Sequence, residues 1–95
     1  MIVFQSKYAE KSIRKIAEYI SEEGYPETAI SYILRLKKFI SFLKVFPEKF
    51  ALCKQPQFVN RNFQCAIFEN TYIIVYKIKT EGLFIYNVIH GARLK

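Results

Sequence analysis

Glycine and proline are scarce, three of each in 95 residues, and the sequence contains no repeat, linker or low-complexity stretch. No Gly-rich phosphate loop and no Gly-x-Ser-x-Gly turn occur, which removes nucleotide hydrolysis and the familiar serine hydrolases. Cysteine is limited to Cys53 and Cys65, with no Cys-x-x-Cys spacing, and histidine to His90. That is too little for the usual zinc sets, so no metal and no cofactor is expected. Glu22 and Glu23 are adjacent, so a helix points them apart and they make a poor acid/base pair. No apolar run approaches the ~18–20 residues of a membrane span. The opening MIVFQSKYAEK lacks the basic start, apolar stretch and small-residue cleavage site of a secretory signal. A soluble, cytoplasmic protein is expected, with no membrane partner.

What is present suits one globular domain, residues 1–95. A chain of this length buries roughly 60–65% of its unfolded surface, and 52% hydrophobic with 17% aromatic residues supplies a core. Fifteen Lys and Arg against eight acidic residues give a net charge of +7, which favours nucleic acid or an acidic protein surface as partner. Cys53 and Cys65 each sit in an apolar, strand-like stretch. They are expected to be buried thiols in a reducing cytosol, a disulfide between neighbouring strands being the other arrangement.

Residues 2–5, IVFQ, suit a strand. Ser6 is placed to cap a helix over about 7–22, where Ala9, Ile13, Ile16, Ala17 and Ile20 fall at helical spacing opposite Lys7, Lys11, Arg14 and Lys15. Gly24 and Pro26 separate it from a second helix, in which Ala29, Ile33, Leu36, Ile40 and Leu43 step by four and three up to about Val45, ahead of Pro47. The short connection predicts an antiparallel helical hairpin. Beyond Pro47 the period falls to two. A short strand is expected at 50–54, a loop through PQFVNRN, and strands at 63–68, 72–79 and 83–89 joined by ENT and KTEG. The fold class is therefore α+β: an N-terminal strand, an antiparallel two-helix hairpin, then a three- to four-stranded antiparallel sheet. Tyr72 to Ile78 is apolar on both parities, as a central strand reads when one face meets the helices and a partner covers the other.

The chemistry-bearing residues are cations and aromatics of the strand half: Lys54, Arg61, Lys77, Lys79, His90, Arg93 and Lys95, with Tyr72, Tyr76 and Tyr86. Metal-free RNA cleavage needs a proton acceptor, a proton donor and cations for the phosphorane. His90 is the one side chain that ordinarily titrates near neutrality, Lys54, Arg61 and Arg93 are phosphate-binding candidates, and a tyrosine can stack on a base. The competing reading of His90 is a structural hydrogen bond at a strand end. Lys11, Arg14 and Lys15 form a cationic helix face, either simply solvated or matched to an acidic partner.

The order of elements and several residues resemble the RelE/ParE superfamily of bacterial type II toxins, and its ParE branch more closely. SKYAEKSIRKIAEYI is similar to the family's opening helix, and PETAISYILRLKKFISFLKVFP to its second helix with a closing proline. YIIVYKI followed by LFIYNVIHGARLK resembles the ParE-type ending, an apolar strand closing on tyrosine and a basic residue, a turn, then Val-x-His-x-x-Arg. His90 and Arg93 match that motif; Tyr76 and Lys77 match the strand before it. The resemblance implies a toxin neutralised by a cognate antitoxin and acting by poisoning DNA gyrase, either as a homodimer or in a toxin–antitoxin hetero-oligomer. It implies His90, Arg93, Lys95 and Lys77 as target contacts and Lys11, Arg14, Lys15 and Tyr76 as antitoxin contacts. The alternative is ribosome-dependent mRNA cleavage with His90 as catalyst. The ribonuclease branch often places an arginine where this sequence has Ile73 and Ile74, and commonly a catalytic tyrosine or histidine near the C-terminus; here His90 is available but no tyrosine follows it.

Overall fold

The computed structural model describes the backbone of residues 2–94 and the side chains of residues 2–92. Its elements in chain order are β1 (Ile2–Gln5), α1 (Lys7–Glu23), α2 (Pro26–Val45), β2 (Gln64–Phe68), β3 (Tyr72–Ile78), β4 (Gly82–His90) and a 3₁₀ turn over Gly91–Leu94. Ser6 caps α1 as its sequence position predicts: its Oγ accepts from Ala9 N–H at 3.0 Å. The same hydroxyl donates to the Tyr86 carbonyl, so the cap also ties α1 to β4. Gly24 closes the helix with φ −147°, not in the left-handed conformation expected of it, and Pro26 opens α2 in its first turn.

The sheet order is β1-β4-β3-β2. The antiparallel meander of β2, β3 and β4 matches the expectation, while β1 joins it parallel to β4, with Ile2 opposite Gly82 and Gln5 opposite Ile85. Parallel neighbours need a long crossover, and the helical hairpin supplies it. The expected strand at 50–54 reduces to a single bridge, Leu52 opposite Gln64, with Cys53 N–H donating to Phe63 O at 2.8 Å and Cys65 N–H to Ala51 O at 3.2 Å.

One face of the sheet packs on the helices. Ile74, Tyr76, Leu83, Ile85 and Val88 meet Ala9, Ile16, Leu36, Ile40 and Leu43 there. A bulge sets the alternation of β4: Val75 pairs Asn87 and Tyr76 pairs Ile85, so Tyr86 has no opposite number. The extra residue puts both Ile85 and Val88 on the helix side and leaves Tyr86 to the other face.

That other face is covered in part by the chain itself, where a partner was expected. The loop after α2 folds back so that Cys53, Phe58 and Phe63 pack on Val75, with Ile73, Tyr86 and Ile89 around them. Cys53 and Cys65 form a disulfide with Cα atoms 5.1 Å apart, which corrects the expectation of two buried thiols. The reason is the bridge at Leu52 and Gln64: it sets the two cysteines diagonally across adjacent segments, on the side facing the sheet, within disulfide reach.

Candidate functional site

The outer sheet face gathers three of the seven candidates, Arg61, Lys77 and Lys79, around aromatic rings. Phe63 stands just ahead of β2 and Lys77 near the end of β3, and Lys77 Nζ lies 4.4 Å from the Phe63 ring centre. Arg61, carried by the returning loop, places its guanidinium 5.1 Å from the Phe63 ring and 5.9 Å from that of Tyr86. Lys79 Nζ lies 4.7 Å from the Phe84 ring. The rings touch one another: Phe63 and Tyr86 have centroids 4.9 Å apart, Phe58 sits edge-on to both, and Tyr8 at the start of α1 reaches Tyr86 at 5.8 Å. Contacts of this kind contribute about 0.5–1 kcal/mol each at exposed sites, enough to bias the position of a long flexible cation.

Loop geometry holds the set in place. Asn60 and Asn62 both have positive φ, a conformation asparagine tolerates better than most residues, and they bracket Arg61. Its Nη1 donates to Gln57 O at 2.8 Å, and the disulfide pins the base of the loop to β2. Lys54 follows Cys53 and is exposed.

His90 is elsewhere. It pairs with Tyr72 at the end of β4, with ring centroids 5.4 Å apart, and Tyr72 faces α2 through Tyr32. His90 therefore lies on the helix side of the sheet, while Arg61 and Lys77 lie on the opposite side. Lys77 is also five residues along β3 from Tyr72, roughly 16 Å at strand rise. His90 Nδ1 accepts from Ala92 N–H at 3.2 Å, the structural hydrogen bond anticipated as the competing reading, which leaves any neutral-form proton on Nε2. The structure does not bring His90 together with Arg61 or Lys54 as one phosphate-cleaving set.

Beside Tyr72 and His90 lies a polar group the sequence reading did not single out. Glu69 and Asn70, both at positive φ, make the tight β2–β3 turn, closed by Thr71 N–H donating to Phe68 O at 3.1 Å. Glu69 Oε2 accepts from Arg35 Nε at 2.8 Å and Oε1 from Arg35 Nη2 at 3.2 Å. That hydrogen-bonded guanidinium holds the Glu69 carboxyl below its ordinary range. Burial, reinforced by Glu69, pushes the neighbouring Tyr32 hydroxyl up to about 12. An (i, i+34) pair between a helix and a turn has no sequence periodicity to betray it.

Tyr76 is a correction. Expected as an antitoxin contact, it is fully buried, with 0% exposure, and its hydroxyl donates to Pro47 O at 2.6 Å. Burial raises its pKa to about 12. Gln64 Nε2 donates to the same carbonyl at 3.0 Å and to Phe50 O at 2.7 Å, so this polar pair anchors the end of α2 to the sheet instead of meeting a partner. Lys11, Arg14 and Lys15 are exposed on α1. Arg14 and Lys37 rim a groove of about 260 Å³ between α1 and α2, whose floor is Ile13, Leu36 and Ile40. Lys95 and the side chain of Arg93 lie outside the described residues. Among the described residues no three His, Cys, Asp or Glu cluster as a metal would need, and no helix is long and apolar enough to cross a membrane.

Comparison with known proteins agrees with this architecture. No curated protein sequence matches the chain. A chain of the chromosomal ParDE toxin–antitoxin system from P. aeruginosa superposes with a TM-score of 0.78 over 95% of both chains at 13% identity, a likeness of fold. The family model for the ParE toxin of the type II toxin–antitoxin system parDE matches residues 3–95. Nearly the whole chain lies within that match, and the protein belongs to the ParE toxin family.

Proposed function

We propose that this toxin acts by binding, as an inhibitor that poisons DNA gyrase in the cytoplasm, and that a cognate antitoxin silences it. The placement of His90 carries the reading. Its imidazole is turned toward Tyr72 and the helix side, across the sheet from Arg61 and Lys77, so general acid–base chemistry and phosphate binding do not converge on one bond. Contact between charged surfaces needs no such convergence. Lys77 of β3 and His90, Arg93 and Lys95 at the chain end are the target-binding candidates.

For the antitoxin, the exposed Lys11, Arg14 and Lys15 with the α1–α2 groove suit an acidic, amphipathic segment. Ile30 and Leu34, 60% and 59% exposed on α2, add apolar surface beside Arg35 and Lys38.

The test is supercoiling and DNA cleavage by purified gyrase with the isolated protein, with and without ATP. Inhibition with trapped, cleaved DNA is expected. A folded, stoichiometric sample that leaves both activities unchanged overturns gyrase as the target, and cleavage of mRNA on ribosomes by the same sample overturns the binding-only reading.

A further inference from the structure

The outer sheet face has two properties that a merely solvated surface lacks. Its charge is of one sign: after residue 48 the only carboxylate side chains are Glu69 and Glu81, and Glu69 is turned to Arg35 of α2. Arg61, Lys77 and Lys79 therefore share this face with no acidic residue between them, Glu81 lying in the turn beyond Lys79. Its rings are also arrayed across strands. Phe4 of β1 lies directly opposite Phe84 of β4, Phe84 and Tyr86 have centroids 6.5 Å apart, and Tyr86 stacks near Phe63. Phe4 is 40% and Tyr8 64% exposed, and Phe84 and Tyr86 are half-buried. Four strands at ~4.8 Å spacing put Phe4 and Phe63 about 14 Å apart, a platform that takes two or three bases.

We propose that this face binds single-stranded nucleic acid, with bases stacked on Phe4 and Phe84, beside the packed Tyr86, and phosphates held by Arg61, Lys77 and Lys79. Phe84, with Lys79 beside its ring and Phe4 opposite it on the next strand, offers a base a flat contact and its phosphate a charge in the same step, which a duplex with its bases paired inside does not use. The disulfide and the aromatic packing beneath the returning loop fix Arg61 before any ligand arrives, so little ordering cost falls on binding. An acidic peptide would use the cations but not the exposed ring faces. This inference is independent of the gyrase reading, and gyrase is absent from its test.

Fluorescence anisotropy with labelled 12-nucleotide single strands, as DNA and as RNA of one sequence, measures it on the full chain, beside the matching duplex and a Glu-rich peptide of equal charge. Single strands are expected to bind more tightly than duplex and peptide. The log–log salt slope should shrink by about 0.7 for each of Lys77→Gln and Lys79→Gln, and Phe84→Leu, which keeps every charge, should weaken binding about 5- to 100-fold. Circular dichroism checks that Phe84→Leu is folded, and the exposed Lys79→Gln gives a second reading independent of packing. Three results overturn the proposal: no binding to single strands at low salt, duplex or peptide bound as tightly as single strands, or a folded Phe84→Leu with unchanged affinity.

Discussion

Reducing the Cys53–Cys65 disulfide should cost this domain a large share of its stability. The bridge spans twelve residues of sequence; in the chain-entropy description, closing a loop of that length in the unfolded state contributes about 3 kcal/mol at 25 °C. For a domain of this size each kcal/mol moves the melting midpoint by about 4–8 °C, so reduction should lower it by roughly 12–24 °C. The loss should be local before it is global, because the bridge holds the loop bearing Phe58 and Arg61 over Val75 while the helix-side core lies on the other face. The assay is thermal unfolding by circular dichroism with and without a phosphine reductant, alongside the Cys53→Ala/Cys65→Ala double variant. Hydrogen exchange at the amides of Cys53 and Cys65 reports the local step, since they donate to Phe63 and Ala51. The double variant should match the reduced protein. A reduced protein melting within about 2 °C of the oxidised one, with those amides still protected, would refute the reasoning and restore the thiol pair.

Gly82→Ala should prevent β1 from docking: at φ +156° an added Cβ would stand 2.0 Å from Ile2 O, and urea unfolding should show a fall of several kcal/mol or no cooperative transition. Tyr76→Phe removes a buried hydroxyl while Gln64 still serves Pro47 O, so equilibrium unfolding should show a loss of about 1–2 kcal/mol. Glu69→Gln should flatten the acid limb of the stability curve. A carboxyl held below its ordinary value of 4.5 stabilises above that pH and loses the contribution as pH falls through the folded value, so the two proteins should differ near pH 6 and converge toward pH 2. His90→Gln, which keeps a polar side chain at a target-contact candidate, should weaken growth arrest in an expressing strain only in part; its complete abolition with folding and antitoxin binding intact would return His90 to catalysis.

The helices and the meander were legible because they rest on periodicity: α1 and α2 follow the four-and-three spacing of Ile13, Ile16, Leu36 and Ile40, and β3 was recognisable as interior from its doubly apolar run. Less was legible of what is decided between distant segments. The pairing of β1 with β4 depends on the hairpin crossing over, and the disulfide on a one-residue bridge at Leu52 that no strand pattern marks. For the site, Arg61 and Lys77 were legible as cations, but their rings were not: Phe63 and Phe84 read as ordinary strand residues until the sheet turned them to one face. His90 and Arg61 looked like neighbours in chemistry because sequence carries no sign of which side of a sheet a residue takes. The bulge at Tyr86 settles part of that, and a bulge without glycine leaves little trace in a sequence. Tyr76 was misread for the converse reason, since its hydroxyl finds an internal acceptor at Pro47 that spacing does not reveal.

The pairing of Ile2 with Gly82 joins the first strand made to the last, so during synthesis β1 waits for nearly the entire chain. Until β4 emerges, α1 has neither its Ser6 anchor, whose N–H donates to Ile85 O and hydroxyl to Tyr86 O, nor the sheet face that buries Ile16, and contacts of such long sequence separation form late in folding. A ribosome partway through this message therefore carries a chain whose core and outer face are both unbuilt. A polypeptide truncated before Gly82 lacks β4 altogether, and with it the strand that pairs β1 and the carbonyls that hold Ser6.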